Sequence, residues 1–559
     1  MAIPGNANLL LLQSAAAAPT GYTIDRSVRF NSADSAYLNR TPASAGNRKT
    51  WTWAGWVKRW KLGIEEFLFI CRADGAGDFF RATFTSSDVF MIWDRDTSDT
   101  TQLMLITSQV FRDPSAWFHL VFSVDTTQGS ASNRARLFIN GVQVTAFSTA
   151  TYPSLNYDLG FNRNVLHRIG WEGTGSPYYF DGYLADIHFI DGQALDPTDF
   201  GEFDDNGIWQ PIEYTGSYGT NGFHLDFSDN SSNAALGYDA AGSNDWTVNN
   251  LSVTAGAGND SLVDVPTNGS EVDTGSGGQV RGNYCTWNPL SNFNSSTLSN
   301  GNLDVVTAGS AGGGAVFGTI AIPSSGKWYW EIVVTSTTLP SIDIAFAGIT
   351  KPISGSYQNR STSAYAEIYF LGGGIGGTVF SSTGTKTNGS SINVGDVCGI
   401  AVDRDNGAIY FYKNGVANGS VTGFTFAEGM FPYVEDNSGG SGQSSITANF
   451  GQRPFAYTAP SGGFKALCTA NLPSTTITTS GTYTGNGVAD GPFVYLNGVP
   501  TAMTVGGNAV TFGTHADKLS NGFKIRTTST TYNQNVSTYS YSITTTGDPF
   551  KYARAQPNP

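Results

Sequence analysis

Charge is scarce in this chain. Only 13% of its 559 residues are Asp, Glu, Lys or Arg, and 30 bases face 44 acids, for a formal net charge of -14. No Lys/Arg cluster occurs, so the basic face that phosphate recognition needs is missing and a nucleic-acid partner is not expected. Cysteine is scarcer still. Cys71, Cys285, Cys398 and Cys468 lie far apart with no CxxC pair, which indicates neither a zinc site nor a dense disulfide framework. Cys71 and Cys398 sit in apolar strand patterns and read as buried thiols, with a Cys285–Cys468 bridge as the less favoured alternative. Long apolar runs are absent too: none approaches the ~18 residues that span a bilayer. The N-terminus has a Leu9–Leu12 run and small residues at Ala15–Ala18. It carries no base before the leucines, so residues 1–20 read as an arm docked on a partner rather than as a signal peptide.

What is abundant is turn-forming and β-forming. Gly reaches 68, Ser, Thr and Asn fill the gaps between apolar stretches, and 40% hydrophobic residues are enough for several cores. At about 150 residues per domain the length predicts three or four domains. Alternation of period two dominates wherever the chain is apolar. In Lys327–Val334 the residues Trp328, Trp330, Ile332 and Val334 point one way and Glu331 the other, the pattern of a half-buried strand. In Trp117–Val124 the inward set is Phe118, Leu120, Phe122 and Val124, with His119 and Ser123 opposite. The one helix signal is short, Asp196 as N-cap with Pro197 following. Aromatic-x-Asn-Gly-Val occurs at Phe138–Val142, Tyr412–Val416 and Tyr495–Val499, and each copy predicts a hairpin because a type I′ turn needs φ > 0 at both central residues.

Residues 211–283 hold nine acids and one base, Arg281, amid Gly, Ser and Asn. They read as an acidic connector with a strand or two near Gly222–Phe227 and Trp246–Val253. A Pro/Gly turn at Pro460–Gly463 marks a second boundary. The expected order is an arm over 1–20, a sandwich over 21–210, the connector over 211–283, a second sandwich over 284–458 and a smaller β domain over 459–559.

Four segments carry a resemblance in the first sandwich: WTWAGWVKR (Trp51–Arg59), WFHLVFSVD (Trp117–Asp125), RLFINGVQV (Arg136–Val144) and YYFDGYLADIHFIDGQAL (Tyr178–Leu195). Together they resemble a laminin G-like domain of the concanavalin A-like superfamily, which implies a jelly roll whose loops bind. GKWYWEI (Gly326–Ile332), GIAVDRDNGAIYFYKNGV (Gly399–Val416), FPYVE (Phe431–Glu435) and NFGQRPF (Asn449–Phe455) resemble a SPRY domain, also a two-sheet sandwich and a protein-interaction module. The opening GYTIDRSVRFNSADSAYLNRT (Gly21–Thr41) and the closing segments GFKALCTANLP (Gly462–Pro473) and DPFKYARAQ (Asp548–Gln556) resemble phage structural proteins. The fold class expected is therefore all-β: tandem concanavalin A-like jelly-roll sandwiches plus a smaller C-terminal β domain. The combination resembles virion adhesins, which implies a tail fibre or tail-associated protein that binds a host-surface glycan or protein. The same resemblance implies attachment to other virion proteins through the N-terminal arm and a homotrimer. A head-decorating or head-fibre protein and a secreted bacterial lectin stay open as alternatives.

Catalysis is not expected. Glycosidases of this fold family carry paired Glu on one strand, whereas the chain has ten Glu in all and no E-x-D-x-x-E. The five histidines show no HxH or HExxH spacing and read as structural. Gly372, Gly374 and Gly377 fit GxGxxG, but a strand pattern follows them, so no helix N-terminus is there to hold a phosphate. Asp403 and Asp405 flank the Asn406-Gly407 turn and read as part of a strand pair. No cofactor is required. Laminin G-like domains do hold calcium through Asp at the sheet rim, and Asp94, Asp96 and Asp99 form the densest acidic loop here, weighed against a plain solvated loop. For ligand binding the candidates are Trp171, Tyr178 and Tyr179, rings suited to stacking on sugars, with packing under their own loop as the alternative.

Overall fold

The computed structural model describes residues 21–547, apart from 73–76, 174–177, 205–207, 294–295, 308–313, 338–344, 351–363, 371–375, 428, 437–442, 474, 496–498 and 520–521. The expected arm at 1–20, the closing DPFKYARAQ, Gly372, Gly374 and the Asn-Gly of Tyr495–Val499 lie outside these residues. The described chain is nearly all β and divides into two compact units, one of 21–200 with 211–471 and one of 201–210 with 472–547.

The first unit holds two sandwiches. One sheet of the first sandwich runs Val142–Gln143, Ala135–Ile139, Phe118–Asp125, Thr50–Arg59, Gly182–Asp191, Ser27–Phe30 and Ser261–Leu262, with Phe223–Leu225 added on Gly182–Asp191. The facing sheet runs Phe147–Thr151, Thr101–Val110, Val89–Arg95, Phe79–Phe84, Glu66–Cys71, His167–Ile169, Tyr37–Arg40 and Thr247–Asn249. Alternation sends Trp51, Trp53 and Val57, together with Phe118, Leu120 and Phe122, into a shared core. Phe69, Phe80 and Ile92 meet them there from the facing sheet.

The second sandwich stacks a sheet of Trp287–Phe293, Gly314–Gly318, Phe431–Asp436, Ala345–Thr350, Tyr365–Tyr369 and Val379–Ser381 on a larger one. That larger sheet is centred on Lys327–Thr337, Val397–Asp403 and Ala408–Lys413. In the second unit Thr475–Thr484 pairs along its length with Thr538–Gly547, over a core that includes Met503, Val505, Phe523 and Ile543. Two of the Asn-Gly turns take the expected form: Asn140 and Gly141 have φ of 48° and 79°, and Asn414 and Gly415 have 49° and 77°. The helix signal at Asp196 yields a single 3₁₀ turn, Pro197–Asp199. All four cysteines are buried and unpaired, so no Cys285–Cys468 bridge forms. Burial pushes the Cys285 thiol up to about 11 and the Cys468 thiol up to about 12.

Three expectations change. The stretch 211–283 is not merely a connector: Phe223, Leu225, Trp246 and Leu251 enter the core of the first sandwich, and three of its segments pair as strands. Its acids mislead because they are anchors. Asp260 takes Arg29, Asp264 takes Lys58, and Asp239 accepts the backbone N–H groups of His224, Ala241 and Asn244. The boundary expected at 459 falls at 472, because Lys465–Ala466 pairs in parallel with Lys327–Thr337 and Phe464 and Ala466 join the same packed cluster as Tyr329. That packing also buries both faces of the strand over Trp328–Ile332. Glu331 accepts the N–H groups of Ala456 and Tyr457 at 2.7 and 2.8 Å instead of facing solvent. His119 and Ser123 are likewise buried.

His167 gives a pH-dependent prediction. Its Nε2 accepts the Asn162 N–H at 3.1 Å, which leaves Nδ1 to donate to the Val165 carbonyl at 2.8 Å. Burial pushes its pKa down to about 3. A depressed value means the neutral ring contributes stability above the unfolded value of about 6.5, lost as pH falls toward 3. His167→Gln should therefore flatten the fall in urea midpoint between pH 6.5 and 4; an unchanged pH profile would contradict this.

Candidate functional site

Core residues Phe80 and Ala82 alternate with Phe79 and Arg81, which puts the latter pair on the outward face of the second sheet of the first sandwich. Register carries that face across the sheet: Trp93 lies opposite Arg81, Arg81 opposite Ile70, Ile70 opposite Arg168, and Arg168 opposite Asn39. Aromatic and cationic groups interleave there. The Arg81 guanidinium lies 4.5 Å from the Trp93 ring and 4.9 Å from Phe79, while Phe79 and Trp93 meet edge to face at 5.0 Å. Arg95 lies 4.8 Å from the Phe79 ring. Burial lowers the Arg81 pKa.

The three ring residues expected from sequence fall beside this row. Trp171 and Tyr179 form an isolated bridge and stack at 5.4 Å with 4° between their planes, and Tyr37 leans on Trp171 at 4.7 Å. Arg168 lies 5.1 Å from the Trp171 ring. Tyr178 is 42% exposed, with its ring 6.1 Å from Phe67. Glu172 pairs with Arg72 at 3.4 Å and approaches Arg81 at 4.0 Å. Sequence reading missed Trp93, Arg81 and Arg95. The signal was present in FFRATF and VFMIWDR, where these residues fall off the core phase.

The three acids expected at a metal do not converge. Asp94 is buried on its strand and accepts the Gly160 N–H at 2.5 Å, and burial pushes it up to about 7. Asp96 closes its own turn by accepting from Ser98 and Thr100, which lowers its pKa. Asp99 pairs with Arg95 at 2.6 Å. Asp403 and Asp405 are likewise spent on structure, on Lys327 and Asn406 and on the Gly326 N–H respectively. Among the described residues, the group with metal-ligand geometry is Asp186, His188 and His224. Spacing hid it, since the two histidines meet only because their strands pair with His188 opposite His224.

The second sandwich carries an open groove of 390 Å³ lined by Asn388, Ser390, Tyr410, Tyr412, Asn418 and Ser420 among others. Asn418 is fixed there by Ser390, whose N–H it accepts at 2.9 Å.

Comparison with known proteins agrees with this architecture. Residues 31–201 match the family model of the concanavalin A-like lectin/glucanases superfamily, and 327–453 match that of the SPRY domain. The chain contains a laminin G-like domain and a SPRY domain. Among solved structures, the SPRY domain of human HERC1 is 18% identical, covering 29% of this chain and 96% of that one at a TM-score of 0.25. Mouse laminin alpha1 chain domains LG4-5 are 10% identical, covering 81% and 96% at 0.25. A putative carbohydrate binding protein from Bacteroides ovatus is 14% identical, covering 41% and 59% at 0.30. Among the described residues no helix is long and apolar enough to cross a membrane.

Proposed function

We propose that this chain is a non-enzymatic adhesin of a bacteriophage virion, a tail fibre or tail-associated protein that binds a host-surface glycan or protein. The observation that carries the binding role is the outward sheet face of the laminin G-like domain, where Trp93, Trp171, Tyr178 and Tyr179 offer rings beside Arg81 and Arg95, with buried Phe79 packed beneath Trp93. Rings of this kind stack on sugar faces while guanidinium groups bond hydroxyls or carboxylates. The placement in a virion rests on the resemblance of Gly21–Thr41 and Gly462–Pro473 to phage structural proteins. In this reading the arm at 1–20 is the attachment end and the assembly is a homotrimer.

The test is binding of the labelled full chain to host cells. Trp93→Ala combined with Tyr178→Ala should weaken binding about 5- to 150-fold, at roughly 0.5–1.5 kcal/mol per ring, with the unfolding midpoint little changed. Undiminished binding would move the site away from this face, and release of sugar fragments from host polysaccharide would overturn the non-enzymatic reading.

A further inference from the structure

We propose that Asp186, His188 and His224 bind one divalent transition-metal ion with the ligand preferences of zinc. Strand Gly182–Asp191 slips register against Thr50–Arg59 between Ala185 and His188. Within that bulge Asp186 adopts φ of 52°, a conformation costly for a non-glycine residue in mid-strand. Bulges re-aim side chains, and this one aims a buried carboxylate at two imidazoles. Asp186 Oδ1 lies 2.7 Å from His224 Nε2 and 3.3 Å from His188 Nε2, and the three ligand atoms all fall within 4.8 Å of one another. A tetrahedral ion bound at about 2.0–2.1 Å needs ligand atoms about 3.3 Å apart, so modest side-chain rotation would close the site.

The surroundings suit a cation. Tyr218 Oη sits 2.8 Å from His188 Nδ1 and can fix the ring so that Nε2 is the ligand atom, while Tyr22 Oη donates to Asp186 Oδ1 at 2.9 Å. The carboxylates of Asp226 and Asp239 add negative potential at His224. The His188 side chain is 3% exposed and that of His224 is 15%, so the route in lies on the His224 side. Two imidazoles and one carboxylate select zinc, cobalt or nickel over calcium, which prefers oxygen ligands. An ion there would tie together Gly182–Asp191 and Phe223–Leu225.

The experiment uses the full chain without a histidine tag, stripped with chelator and titrated with Co(II) and Zn(II). The expected result is one ion per chain, the visible absorption of tetrahedral Co(II), and a Tm raised by roughly 3 °C or more at saturating zinc. His224→Gln should abolish both, and His224→Cys should keep Co(II) bound and add a thiolate charge-transfer band. No binding to the folded chain, or binding that survives His224→Gln unchanged, would overturn the proposal.

Discussion

Lys58→Met should lower the stability of the first unit by about 3–5 kcal/mol, read as a shift in urea midpoint at unchanged slope. Lys58 Nζ is fully buried and donates to Asp264 Oδ2 at 2.9 Å, to Asp264 Oδ1 at 3.2 Å and to Asn283 Oδ1 at 2.7 Å. Asp264 also accepts the Trp117 Nε1–H at 3.1 Å. Methionine fills the stem but leaves the carboxylate charged, buried and without its cation, and that stranded charge dominates the cost. Lys58→Met/Asp264→Asn should recover about 1 kcal/mol or more, because Asn removes the charge and still accepts from Trp117. A single variant within about 1 kcal/mol of the parent would show that water reaches the pair.

Trp51→Ala should cost about 3–5 kcal/mol. Trp51 is fully buried with its ring 5.1–5.5 Å from Phe161, Phe80 and Phe122, so it bridges strands of both sheets. Its Nε1 has no hydrogen-bond partner among the described residues. Trp51→Phe should therefore cost less than half as much, since it keeps most of the ring contact and no longer buries an unpaired N–H. An equal loss in both variants would contradict this account.

The fold class was legible because alternation is a local property: WTWAGWVKR and GKWYWEI announce strands wherever they fall. What alternation cannot show is whether the second face is also covered. His119 and Glu331 stand opposite the inward set of their strands, yet both are buried, Glu331 against the backbone of Ala456 and Tyr457, and Lys58 is buried against Asp264 and Asn283 from far along the chain. The acids of 211–283 looked like a solvated connector for the same reason, since their partners Arg29 and Lys58 lie more than 200 residues away. Trp171 and Tyr179 were legible as loop aromatics, but the stack they form and the Arg81–Trp93 row beside it depend on strand register. The Asp186–His188–His224 group needed both a bulge and a cross-strand pair, neither of which leaves a spacing signature.

The most direct test of the virion adhesin reading is immunogold labelling of intact phage particles with antibody raised against residues 284–458. The account predicts gold on the tail. Gold confined to the head, or unlabelled particles with soluble antigen in the medium, would contradict it.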